Sequence, residues 1–202
     1  MRRARLALVA ATLATGCVSL STFQSPEVLE PRSFAVGTGL SVIHGDAGIG
    51  AVPEVYGRYG LSRRFDAGAK FVGFPPLGVL AADLKGQLLR EPVALAVDLA
   101  ASYGAIFVDD GDDDGYAFVA LYPALLAGTR RVYAGAKLIH VIAGRIEDDD
   151  FESETLPGLF AGFTLGDGFR VRPELHLYFD EQDGGRELLP LAGLAVEWRV
   201  NL

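Results

Sequence analysis

The chain has 202 residues, half of them hydrophobic and 22% charged. That is a length for one ordinary domain and a composition that excludes long disorder. A net charge of −8 excludes nucleic acid as a partner, because phosphate binding needs clustered Lys and Arg. The single Cys excludes an internal disulfide and any cysteine zinc cage.

The first segment is an address. Arg2, Arg3 and Arg5 precede a short apolar run over residues 6–14, the layout of an export signal and too short to cross a bilayer as a helix. The end of the run, Leu13-Ala14-Thr15-Gly16-Cys17, resembles the lipobox of bacterial lipoproteins. That resemblance implies cleavage before Cys17, a diacylglycerol on its thiol whose acyl chains take up palmitate, and outer-membrane destination, since Val18 and not Asp follows. Loss of residues 1–16 removes three of 18 basic residues, leaving 15 against 26 acidic ones and a net charge of −11. Residues 17–32 carry Ser, Pro and Glu without a period and read as a lipidated N-terminal tether.

From residue 33 onward no stripe of period 3.6 occurs. Period-two runs broken by turn residues predict strands over 33–43, 52–61, 63–73, 79–89, 92–104, 115–127, 131–143, 157–166, 168–180 and 189–201. Links after the even-numbered strands are tight, around Ser62, Arg90-Glu91, Gly128-Thr129 and Asp167. Those after the odd-numbered strands read as mostly longer and richer in Gly, Asp and Pro. The pattern predicts an all-β, antiparallel, up-and-down barrel of about ten strands (range 8–12) with both ends of the barrel on the tight-turn side.

The two faces of each strand differ in kind. In the fifth, Val93, Leu95, Val97, Leu99, Ala101 and Tyr103 oppose Ala94, Ala96, Asp98, Ala100, Ser102 and Gly104. In the ninth, Phe169, Val171, Pro173, Leu175, Leu177 and Phe179 oppose Arg170, Arg172, Glu174, His176 and Tyr178. The polar face mixes both charges with Gly, Ala and Ser, which suits a crowded lumen better than a water-washed surface. Its acids are Glu54, Asp66, Asp83, Asp98, Glu174 and Glu197; its bases are Arg58, Lys70, Lys85, Lys137, Arg170, Arg172 and Arg199. Near-neutrality is what desolvated charges require. A hairpin symmetric about Ser62 would set Arg58 across from Asp66 and Glu54 across from Lys70. His176 shares this face and joins the network. Strands six to eight have two apolar or small faces and do not assign. Pro123 and Pro173 fall inside strands, where a missing donor weakens the ladder.

The segment PEVYGRYGLSRRFDAGAKF (53–71) resembles the recurring hairpin of bacterial outer-membrane β-barrel proteins, and DLKGQLLREPVALAVDLAASYG (83–104) the next one. The resemblance covers about residues 33–202. It implies a transmembrane barrel of a Gram-negative bacterium, with outer-membrane lipid, lipopolysaccharide and the assembly machinery as partners and the N-terminus anchored on the periplasmic side. Ten strands with so many inward charges exclude a wide pore. A structural, surface-interaction or narrow-conduit role is expected. Two alternatives stand beside it: an enzyme acting on lipid or peptide at the long-loop rim, and a tethered, lipocalin-like soluble barrel with its apolar face inward.

Acidic residues crowd three long loops: 109–114, 147–154 and 180–187. Asp110, Asp112 and Asp114, followed by Gly115, match the first half of a calcium loop, but Leu121 stands where the bidentate Glu belongs. Loosely held Ca2+ or Mg2+ beside lipopolysaccharide phosphates is the expectation, with no dedicated cofactor. His44, His140 and His176 are the only histidines, and no nucleophile turn or H-E-x-x-H accompanies them. No catalytic residue is assigned.

Overall fold

The computed structural model describes residues 21–45, 48–74, 77–107, 115–145, 151–182 and 185–201. Ten strands form: β1 (Ser33–Gly45), β2 (Gly48–Gly60), β3 (Phe65–Phe74), β4 (Leu77–Leu89), β5 (Ala94–Phe107), β6 (Gly115–Gly128), β7 (Val132–Arg145), β8 (Phe151–Phe163), β9 (Phe169–Gln182) and β10 (Gly185–Asn201). Each pairs antiparallel with its chain neighbours, and β1 closes against β10. The predicted up-and-down, ten-stranded barrel is the observed fold. Closure leaves no edge strand, so each strand's ladder groups face another strand.

The tight turns follow their sequence chemistry. Ser62 Oγ accepts from the amides of Arg64 and Phe65, both at 3.2 Å, and Thr129 Oγ1 does the same for Arg131 and Val132. Gly128 (φ 145°) and Gly166 (φ 84°) supply backbone that side chains resist.

Several expectations are corrected. The strands run further toward the opposite end than the alternation suggested. Only residues 46–47, 75–76 and 183–184 lie between β1 and β2, β3 and β4, and β9 and β10, so those three links are not long. Glu152, Glu154, Asp180, Glu181 and Glu187 therefore belong to strands. β8 begins at Phe151, six residues before its predicted start. The β2–β3 hairpin is centred on Arg63: Arg58 lies across from Gly68, Gly60 from Asp66, and Glu54 from Val72. The expected direct charge pairs are thus diagonal.

Proline shapes two ladders. The β6–β7 register is continuous, yet the rungs of Tyr122 and Pro123 are missing. The β8–β9 ladder holds only five rungs, Gly158↔Tyr178 to Gly162↔Glu174. The next pair on one side would contain Pro157, and on the other Pro173. Neither has an N–H to donate.

The outside of the barrel is apolar. Leu80, Leu99, Val132, Leu175, Leu194 and Val200 are among the exposed side chains, at 51–66% relative exposure. Among the strand residues whose side chains are described, no Asp, Glu, Lys or Arg points outward. Phe34, Tyr59, Phe65, Phe163, Phe169 and Trp198 ring the tight-turn end, all exposed, with Phe169 and Trp198 edge to face at 4.8 Å.

Inside, the lumen divides in two. Its long-loop half is packed by Val72, Val79, Ala120, Ile139, Leu156 and Leu191 with Tyr122 and Tyr178. This explains why β6 to β8 did not assign: both their faces are apolar because each touches an apolar medium, one inside the barrel and one outside. The tight-turn half holds the charges. It also holds residues 21–29, part of the segment read from sequence as a tether. Ser21, Thr22, Phe23, Gln24, Ser25 and Leu29 are all buried. The chain turns back into β1 through Arg32 (φ 63°), whose amide donates to Gly60 O at 3.0 Å. A Cβ on Gly60 would sit 1.9 Å from Glu30 O, so only glycine lets the segment cross the rim there.

Candidate functional site

The side chains with chemistry meet in the tight-turn half of the lumen, each placed by the inward parity of its strand. All fourteen residues of the inward set lie there: Glu54, Arg58, Asp66, Lys70, Asp83, Lys85, Asp98, Lys137, Arg170, Arg172, Glu174, His176, Glu197 and Arg199. Most are under 8% exposed; Lys70, Asp83 and Arg199 are partly buried. Arg58 bridges Asp66 and Asp83, the latter at 2.6 Å. Lys85 reaches Asp66 at 3.3 Å, and Lys70 reaches Glu54 at 2.8 Å. Glu197 takes Arg172 at 3.1 Å and Arg199 at 2.8 Å. Glu174 accepts from Tyr133 Oη at 2.6 Å and contacts His176 Nε2 at 2.9 Å, while the His176 ring stacks between Phe160 and Tyr178.

Seven cations face six carboxylates in this half. Taking a cation out of water costs several kcal/mol unless acceptors surround it, and the N-terminal segment supplies them. Lys70 and Lys137 both donate to Ser21 O at 3.3 Å; Arg172 donates to Phe23 O at 2.5 Å; Lys85 donates to Ser25 O and Glu27 O, each at 3.0 Å. The carboxylates use its donors. Glu174 accepts from Thr22 N at 3.1 Å, Asp66 from Leu29 N at 2.9 Å, and Glu54 from Ser21 Oγ at 2.6 Å.

Phe23 is the segment's anchor. Its ring fills a trough in the β1–β10 wall, where a Cβ on Gly39 would lie 2.6 Å from Cε2 and one on Gly193 2.7 Å from Cζ. Tyr56 stacks on it at 6.5 Å, and Lys70 Nζ lies 5.6 Å from the ring centroid. Its backbone is left-handed (φ 48°), a conformation a bulky residue keeps only where its surroundings enforce it. A small open cleft remains beside the segment, lined by Thr22, Gln24, Lys70, Asp98, Tyr122 and Lys137 among others.

Sequence reasoning missed the segment. The signal was the run of small inward residues Ala35, Gly37, Gly39 and Ser41 on β1 with Gly193 and Ala195 on β10, a trough that something must fill. Tyr56, Tyr133 and Ser41, whose hydroxyl reaches Glu54 at 2.6 Å, were also missed.

The histidines do not converge. His140 points outward and contacts Thr155 Oγ1 at 2.8 Å. His176 is sealed in the lumen at 1% exposure, and the side chain of His44 lies outside the described residues, as do Cys17, Asp110, Asp112 and Asp114. Among the described residues no cluster of His, Cys, Asp or Glu is suited to a metal ion.

No family model matches the chain, and no curated protein does. In fold it is similar to solved outer-membrane barrels. The translocator domain of autotransporter NalP from Neisseria meningitidis is 10% identical with a TM-score of 0.42, covering 99% of this chain and 95% of its own. The N-terminal barrel domain of Pseudomonas aeruginosa OprF is 15% identical with a TM-score of 0.39, over 85% and 100%. The outer membrane protease OmpT from Escherichia coli is 10% identical with a TM-score of 0.39, over 87% and 99%.

Proposed function

We propose that this chain is an integral outer-membrane β-barrel with a stoppered lumen, serving a structural or surface-interaction role. One observation carries the reading: the barrel is inside out for water. Its outer wall is a belt of Leu, Val and Phe without a formal charge among the strand residues whose side chains are described, and the ionic groups of that set are turned inward. At about 25 cal/mol per Å2 of apolar surface, such a wall is costly in water and favourable in lipid. The aromatic ring at the tight-turn end fits a membrane–water boundary. A lipocalin-like soluble barrel needs the opposite arrangement, with Leu99 and Leu175 facing in. Of the roles expected from sequence, a conduit is the least supported, because the N-terminal segment and the apolar cluster fill successive levels of the lumen.

The lipobox-like sequence supports acylation at Cys17, and the threaded segment restricts its geometry. Ser21 sits near Glu54, about midway along β2. Four further residues span at most about 14 Å. Glu54 lies six residues from the tight-turn end of β2, about 15 Å at a tilt of about 40°, so an inner-leaflet anchor at Cys17 calls for a nearly fully extended link or for withdrawal of the segment toward the mouth.

The test is extraction and electrophoresis of the full-length chain. A membrane barrel resists carbonate, requires detergent, and migrates differently before and after boiling. Release by carbonate from a Cys17→Ala variant, with no heat-dependent shift, refutes the reading.

A further inference from the structure

We propose that the tight-turn half of the lumen is a peptide-binding site that grips a threaded backbone and one aromatic side chain, with residues 21–29 as its resident, displaceable occupant. Three observations combine.

First, the grip is on main chain. Lys70, Lys137, Arg172 and Lys85 hold carbonyls at residues 21, 23, 25 and 27, and Glu174 and Asp66 hold amides at 22 and 29. Any peptide presents these groups, so the charges recognise a backbone and not a particular sequence.

Second, beyond Ser21, whose hydroxyl pairs with Glu54, three of the segment's polar side chains are poorly matched. Thr22 Oγ1, Gln24 Oε1 and Ser25 Oγ are buried without a hydrogen-bond partner. A buried polar group left unpaired opposes binding. A site that accepts exchange has no means to satisfy every side chain.

Third, one position is selective. The trough at Gly39 and Gly193 admits the Phe23 ring and has no room for both that ring and a Cβ on either wall. The ligand class is therefore an unstructured peptide with an aromatic residue two positions after its first gripped carbonyl.

The test uses the full-length protein in detergent and a fluorescein-labelled nonapeptide copying residues 21–29, followed by anisotropy. In wild type the tethered segment competes at high local concentration. Phe23→Asp removes its anchor, and uptake of the free peptide rises by about a hundredfold. A peptide with Ala in place of its Thr, Gln and second Ser binds within about threefold of the parent, since Thr22 Oγ1, Gln24 Oε1 and Ser25 Oγ make no bond. A peptide with Asp in place of Phe does not bind, and adding Gly39→Val to Phe23→Asp abolishes uptake. Should Phe23→Asp fail to fold, a thrombin site inserted between Leu29 and Glu30 and cut after folding reads the same exchange. The inference is overturned if the folded variant or the cut protein takes up no peptide, if the Ala-substituted peptide loses more than about tenfold, or if the Asp-bearing peptide binds as well as the parent. The heat-dependent gel shift is independent of all these outcomes, so failure here is distinguishable from failure of the membrane assignment.

Discussion

A lysine placed on the outer wall distinguishes lipid from water. Leu175 is 66% exposed on β9, across from Ala161 and Ala192. It lies six residues from Phe169, the start of the strand. At about 3.3 Å per residue and a tilt near 40°, that is about 15 Å from the tight-turn end, close to the middle of an apolar band about 25 Å tall. Leu188 on β10 is 50% exposed and pairs with Phe179, about 25 Å from the same end by the same arithmetic, at the band's far edge. In lipid, Leu175→Lys costs about 2–4 kcal/mol and Leu188→Lys about 0–1 kcal/mol, because the penalty for a buried cation depends on depth. In water, both fall within about 0.5 kcal/mol of wild type, since neither side chain has a partner to lose. Denaturant unfolding in phospholipid vesicles, followed by the heat-dependent gel shift, measures both. Equal, near-zero effects at the two sites would refute the reasoning.

Other outcomes follow from the same geometry. Asp66→Ala leaves Arg58 and Lys85 buried without their shared carboxylate and lowers stability by about 3–5 kcal/mol. Asp167→Ala, which removes only the exposed pair with Arg130 at 3.6 Å, costs about 0–1 kcal/mol; equilibrium unfolding compares the two. Hydrogen exchange is faster for the amides of residues 151–157 than for those of β5, whose ladder with β6 runs from Ala94↔Gly128 to Phe107↔Gly115; equal protection would contradict the five-rung seam. Palmitate labelling of the full-length chain disappears in Cys17→Ala, and persistent label would exclude acylation at that thiol.

Much of the barrel was legible because a strand in contact with two media declares both. Along β5 and β9 the alternation of Leu and Val with Asp, Arg and Glu set strand existence, parity and the near-neutral interior. Where both media are apolar, as for β6 to β8, alternation carries no contrast and the faces could not be read. The β2–β3 register escaped the sequence because Arg58, which stands across from Gly68, reaches Asp66 diagonally: long side chains find a carboxylate without standing directly across from it. The strands' extra length also escaped the sequence, since Gly- and acid-rich ends look like loops until a neighbouring strand supplies the hydrogen bonds.

By itself the sequence determined that the chain is a ten-stranded closed sheet with charges on one face and hydrocarbon on the other, because period and polarity are local properties. Only the tertiary structure decided what fills the lumen. Residues 21–29 have no period and no helix or strand preference. Their place depends on cations from β3, β4, β7 and β9 converging on carbonyls, and on Gly39 and Gly193 meeting across the β1–β10 closure to make room for one phenyl ring. Groups up to 152 positions apart in the chain combine there, and no local pattern encodes their meeting.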